Sequence, residues 1–162
     1  MPFTGSPTSS VQHAGQVGDD GARAEVRDVR GKLRVANWTY THAAGAGDGE
    51  INLVILPEGR IRVYTQLSRI TASQQAAGAT LSIGTREFVQ EDKTEVAEDA
   101  DRFANALDTA SGDIDETLPL PAAPDRTELL DSQEGVTVYA TIAGGNIEDG
   151  DTINGQIVYS KE

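Results

Sequence analysis

Apolar and polar residues alternate with a period of two along much of this chain. In Lys32–Tyr40, Leu33, Val35, Asn37 and Thr39 alternate with Arg34, Ala36, Trp38 and Tyr40. Arg60–Ile70 is the cleanest case: Ile61, Val63, Thr65 and Leu67 fall on one side, Arg62, Tyr64, Gln66 and Ser68 on the other. That pattern predicts strands half buried on a sheet face. The apolar run Ile51–Leu56 follows the turn signal Gly45-Ala46-Gly47-Asp48-Gly49 and stops at Pro57-Glu58-Gly59, which predicts another strand. Ala79–Ile83 and Arg86–Val89 read as a strand kinked at Gly84. Val136–Ala143 and Thr152–Ser160 close the chain, separated by the turn-rich Gly144-Gly145-Asn146 and Asp149-Gly150-Asp151.

One segment follows a different period. Between Glu95 and Thr109, Val96, Ala100, Phe103 and Leu107 recur at helical spacing, and Ala97, Ala104 and Ala106 add helix propensity. Asp92 with Glu95 three residues later resembles a capping box, and Gly112 supplies a stop. The spacing therefore predicts one short helix, against which stands Asp108, an acidic residue at its C-terminal end. Leu118-Pro119-Leu120-Pro121-Ala122-Ala123-Pro124 is expected to run extended, because proline disfavours both helix and inner strand. Met1–Gly21 consists mainly of Gly, Ser, Thr, Pro, Gln and Ala, with Phe3, Val11 and Val17 isolated among them. It lacks the apolar content to fold alone and is expected to be a flexible arm. Many short strands, frequent turn signals and one helix predict an all-β protein. The expected architecture is a jelly-roll-like β-sandwich over residues 23–162, preceded by a flexible N-terminal arm over residues 1–22.

Composition narrows the chemistry. The 162 residues include no Cys, so disulfides, thiolate nucleophiles and Cys-ligated metal sites are excluded. No run approaches 18 apolar residues, and Met1–Gly18 lacks the basic start and apolar block of a signal peptide. Thirteen Lys and Arg face 26 Asp and Glu, a formal net charge of −13. This acidity argues against nucleic acid as the main partner. The charge is also uneven: nine basic and seven acidic residues reach as far as Arg86, and four basic and 19 acidic follow. Arg23, Arg27, Arg30, Lys32 and Arg34 form the densest basic stretch, whereas Glu91–Glu116 holds much of the acidic excess. Two readings follow: solvated faces that keep the protein soluble, or a basic stretch that meets an acidic partner.

Catalytic signals are weak. The two histidines are His13, in the arm, and His42, beside a glycine-rich turn, and both are expected to be solvated. A metal site or a Ser/His/Asp triad would have to use one of them, and no Gly-x-Ser-x-Gly elbow is present. Gly45-x-Gly47-x-Gly49 precedes a strand, so no helix N-terminus would hold a phosphate there. Asp149-x-Asp151 and Asp113-x-Asp115 begin like calcium loops but lack the central glycine and the closing glutamate, which leaves only an irregular calcium site open. Trp38, Tyr40, Tyr64, Tyr139 and Tyr159 alternate within strands and are expected to pack in the core or on sheet faces. Asn37-Trp38-Thr39 fits a glycosylation sequon, informative only for a secreted eukaryotic protein. No enzyme, cofactor or membrane association is indicated.

Several stretches together resemble small head proteins of tailed bacteriophages. They are Leu67-Ser68-Arg69-Ile70, Gly78-Ala79-Thr80-Leu81-Ser82-Ile83-Gly84, Ala100–Asp108, Gly135–Gly145 and Gly155-Gln156-Ile157-Val158-Tyr159. The resemblance covers about residues 60–160 and is a pattern of strands, not a chemical motif. It points to capsid decoration (cement) proteins. What it implies is a structural virion protein, made in the bacterial host cytoplasm, that sits on the outer capsid surface, binds the major capsid protein, bridges capsomers and assembles as a homotrimer. On this reading Phe3, Val11, Val17, Arg23, Arg27, Arg30 and Arg34 are the candidate partner-binding residues, and an arm that orders on a neighbour would meet the entropy cost on binding. Tyr139, Ile142 and Ile157 are candidates for burial between protomers, although alternating apolar residues more often fill a protomer's own core. Two other classes stay open: a head–tail connector or tail protein, and a sugar- or calcium-binding β-sandwich module.

Overall fold

The computed structural model describes residues 32–43, 49–118 and 127–162. Within the compact unit Leu33–Lys161, twelve strands run in chain order: β1 (Leu33–Thr41), β2 (Glu50–Leu56), β3 (Gly59–Tyr64), β4 (Arg69–Ala72), β5 (Thr80–Thr85), β6 (Phe88–Val89), β7 (Glu95–Val96), β8 (Asp99–Asp108), β9 (Ile114–Thr117), β10 (Thr127–Ser132), β11 (Val136–Ala143) and β12 (Thr152–Lys161). The expected arm and most of the proline-rich and glycine-rich segments lie outside the described residues.

All pairings are antiparallel. One sheet has six strands: β10, β3, β12, β4 and β9 in order, with β1 on the other edge of β12. β12 is its spine. It pairs with β1 along its length, from Leu33 opposite Ser160 to Thr41 opposite Thr152. Its second edge is shared, with Tyr159–Lys161 against β3 and Ile153–Gln156 against β4. The second sheet is β2-β11-β5-β8, and β6 and β7 form a separate two-stranded hairpin.

Alternation explains which residues the core receives. Ile61, Val63, Ile70, Ile153 and Ile157 from the first sheet belong to one buried cluster with Leu81, Ile83, Phe103, Val136, Val138 and Ala140 from the second. The intervening residues face outward, as the period of two requires.

Two sequence expectations are corrected. Arg60–Ile70 is not one strand: a short 3₁₀ turn, Thr65–Leu67, divides it into β3 and β4. Thr65 is buried, but Leu67, expected on the same side as Ile61 and Val63, is exposed. The predicted helix over Glu95–Thr109 is a strand. β8 pairs with β5 through Leu107 opposite Leu81, Ala104 opposite Ile83 and Asp99 opposite Thr85. Between these partners β8 carries more residues than β5, and Ala106 takes a positive φ of 49°. Such bulges break the period of two and leave apolar residues three and four apart, which imitates a helix. The expected capping box is instead the hairpin turn between β6 and β7. Asp92 accepts the Thr94 N–H at 2.9 Å, and Gln90 donates to the Thr94 carbonyl at 2.8 Å.

Gly84 shows how closely the bulged strand lies on β5. A Cβ there would sit 2.0 Å from the carbonyl oxygen of Asp99. The sequence marked Gly84 as a kink; its role is to let β8 cross.

Candidate interaction surfaces

The most organised polar cluster lies on the outward side of the four-stranded sheet. Thr137, Tyr139 and Thr141 alternate with the core residues of β11, yet Tyr139 is fully buried. Its cover is Arg86, whose guanidinium sits 3.9 Å from the ring centroid. Arg86 Nη1 donates to Glu50 at 2.7 Å and to Glu98 at 3.0 Å, and Nε donates to Asn52 at 3.2 Å. The Tyr139 hydroxyl donates to Glu98 at 2.9 Å. Hydrogen bonds from Arg86 and then Tyr139 hold the Glu98 carboxyl below its usual range. Burial, and then the Glu98 carboxylate, push Tyr139 up to about 12. The cluster ties β2, β11 and the two ends of the β6–β7 hairpin together. One guanidinium holds both carboxylates, so the cluster reads as an internal clamp.

Other candidates from the sequence are also taken up inside the protomer. Ile142 and Ile157 are core residues, so neither serves a neighbour. His42, expected to be solvated, is buried, with Nδ1 2.9 Å from the Tyr40 hydroxyl. Asp151 accepts from the Glu148 N–H at 2.8 Å and from Ser73 Oγ at 3.2 Å. Asp113 accepts the Gln74 N–H, and Asp115 accepts from Nε and Nη2 of Arg69. These carboxylates stabilise turns and strand pairs. Among the described residues no group of three or more His, Asp or Glu is placed to hold a metal ion.

Among the described residues, six large hydrophobic side chains are exposed: Leu33, Val35, Ile55, Leu67, Val89 and Leu129. Leu33 and Val35 share the outward face of the six-stranded sheet with Leu129, because Leu33 is opposite Ser160, Ser160 opposite Arg62, and Arg62 opposite Leu129. Arg34 lies between Leu33 and Val35 and is exposed. Of the sequence-proposed partner-binding residues it alone is described; Phe3, Val11, Val17, Arg23, Arg27 and Arg30 lie outside the described residues. Ile55 and Val89 line a different surface, an open cleft of about 690 Å³ between the β6–β7 hairpin and the β10–β11 turn. Sequence reading missed this cleft because three distant segments form it.

These features define an antiparallel β-sandwich of jelly-roll type. Among solved structures, a chain in the capsid of Ralstonia phage GP4 shares this fold. The match has a TM-score of 0.60 and 17% identity and covers 88% of this chain and 93% of that chain. A chain of the cyanophage Pam1 capsid asymmetric unit aligns with a TM-score of 0.46 and 16% identity, over 82% of this chain and 86% of that one. A chain of the infectious bursal disease virus VP2 subviral particle aligns with a TM-score of 0.49 and 13% identity, over 82% and 33%. No protein-family model matches the chain, and no curated protein matches its sequence.

Proposed function

We propose that this protein is a structural component of a phage virion, a decoration protein that binds the outer face of the head and bridges neighbouring capsomers. The observation that carries the reading is the near end-to-end correspondence with a chain of the Ralstonia phage GP4 capsid, over 88% of this chain and 93% of that chain. The strand segments that resemble phage head proteins support it independently. A sandwich with a polar clamp and apolar patches on its surface suits a bridging part, whose work is to bury area between neighbours. The basic residues Arg23, Arg27, Arg30 and Arg34, with Phe3, Val11 and Val17, are the proposed contacts to the shell protein.

Copy number in purified particles tests the reading, measured by mass spectrometry against the major shell protein. A ratio near one to one supports a decoration protein spread over the lattice. A handful of copies would place the chain at a vertex, neck or tail, and absence from the particle would overturn the virion reading. Deleting Met1–Gly21 tests the arm: unchanged particle binding would remove it from the contact.

A further inference from the structure

The cleft sets exposed apolar side chains and unmatched charge on the same side. In the β6–β7 hairpin Val89 is opposite Glu95, and Glu87 precedes Val89 by two residues, so all three project from one face. Ile55 and Thr137 are likewise opposite each other, on the outward side of the four-stranded sheet. With Glu134 of the β10–β11 turn these residues line the cleft, whose volume of about 690 Å³ is ordinary for a ligand-holding site. Ile55 is 68% exposed and Val89 39%. The three glutamates are exposed, and among the described residues none makes an ion pair and no basic residue lines the cleft. β7 pairs with β6 on one edge, and no described strand takes its other edge.

We propose that this cleft binds an extended segment of another protein, in which an apolar residue has Lys or Arg two positions to either side. At that spacing all three side chains project to one face of an extended chain. The apolar one covers Ile55 and Val89, the cations meet Glu87, Glu95 and Glu134, and the open edge of β7 offers backbone groups to the segment. Charge complementarity selects this occupant: three unmatched carboxylates around apolar side chains repel an acidic segment and attract a basic one. The exposed edge of β1 on a second copy does not meet the requirement. Arg34 is opposite Tyr159, and Tyr159 is opposite the core residue Val63, so the cation leaves the sheet on the other face from Leu33 and Val35. Binding forms or fails on the protomer without any particle, so it stands apart from the decoration reading.

Titration of the full-length chain with the synthetic peptide Ser-Arg-Ser-Leu-Ser-Arg-Ser tests it, followed by amide NMR shifts. The peptide should bind with shifts centred on Ile55 and Val89. Replacing both its Arg with Glu should weaken binding by at least about tenfold, and replacing Leu with Ser should weaken it several-fold. High salt should weaken it too, as the Debye length shortens to about 3 Å at 1 M. Ile55→Lys and Glu134→Lys, both at exposed positions, should abolish the shifts, whereas Glu116→Lys, an exposed position on β9 outside the cleft, should leave them unchanged. Circular dichroism and thermal melting confirm that each variant folds. No binding, equal binding of the peptide without Leu, or an equal loss in Glu116→Lys would overturn the proposal, the last two by showing only general attraction to an acidic protein. Self-association of the wild type that Ile55→Lys abolishes would also overturn it, by giving the cleft to a second copy.

Discussion

Ser68 Oγ accepts the backbone N–H of Val158 at 2.9 Å and donates to the Tyr64 carbonyl at 2.8 Å. The bond falls where β12 has left β4 and has not yet met β3, so a side chain fills a gap in the ladder. Ser68 is itself fully buried, its N–H donates to Tyr64 and Thr65, and its carbonyl accepts from Leu118.

Replacing Ser68 with Ala should therefore cost more than the loss of a small side chain. The Val158 N–H would be left buried without an acceptor, a penalty of about 1–3 kcal/mol. Urea unfolding should show a lower midpoint with an unchanged slope. A loss well under about 0.5 kcal/mol, the range of ordinary surface substitutions, would mean water replaces the hydroxyl.

Gly155 faces Trp38 across β12 and β1. A Cβ at 155 would lie 2.4 Å from the indole and 2.6 Å from the Arg69 carbonyl oxygen. Gly155→Ala should displace the indole and destabilise the fold by about 1–3 kcal/mol, as overpacked cores do. Trp38 is the only tryptophan, so a red shift of its emission in the folded protein reports the displacement directly.

Gly84→Ala should be worse, because its clash is with backbone on both counts: the Asp99 carbonyl oxygen at 2.0 Å and the Ala100 carbonyl carbon at 2.5 Å. Neither can swing away as a side chain can. We expect loss of more than about 3 kcal/mol, with hydrogen exchange rising in β8 before the six-stranded sheet. Uniform exchange across both sheets would contradict this order.

Tyr139 links stability to alkaline pH. Its folded value is raised, so the neutral phenol stabilises the fold fully below the unfolded value of about 10. That stability is lost as pH rises toward about 12, at a slope on the order of 1 kcal/mol per pH unit. Tyr139→Phe should flatten this limb in melts between those values. Glu98 works in the opposite sense: its lowered value gives stability that falls as the carboxyl protonates in acid. Arg86→Gln, which removes the main cause, should shift acid unfolding to higher pH.

Much of the sandwich was legible because alternation is a local property. Leu33–Thr41, Ile51–Leu56 and Val136–Ala143 each carry their pattern within a few residues, and turn glycines such as Gly59 and Gly135, at φ of 89° and 92°, mark where strands must reverse. By itself the sequence also determined the absence of cysteine chemistry and the acidic balance. Tertiary structure decided what depends on a partner strand. The bulges of β8 exist only against β5, so its residues read as a helix when taken alone. Thr65–Leu67 continues the alternation of β3, but β12 divides its edge between β3 and β4 and the chain must turn there. Tyr139 occupies an outward position that alternation assigns to solvent, and Arg86, Glu50 and Glu98 arrive from three other segments to bury it. The acid-rimmed cleft is likewise an encounter of distant segments, because charge and apolar surface become a site only where folding sets them side by side.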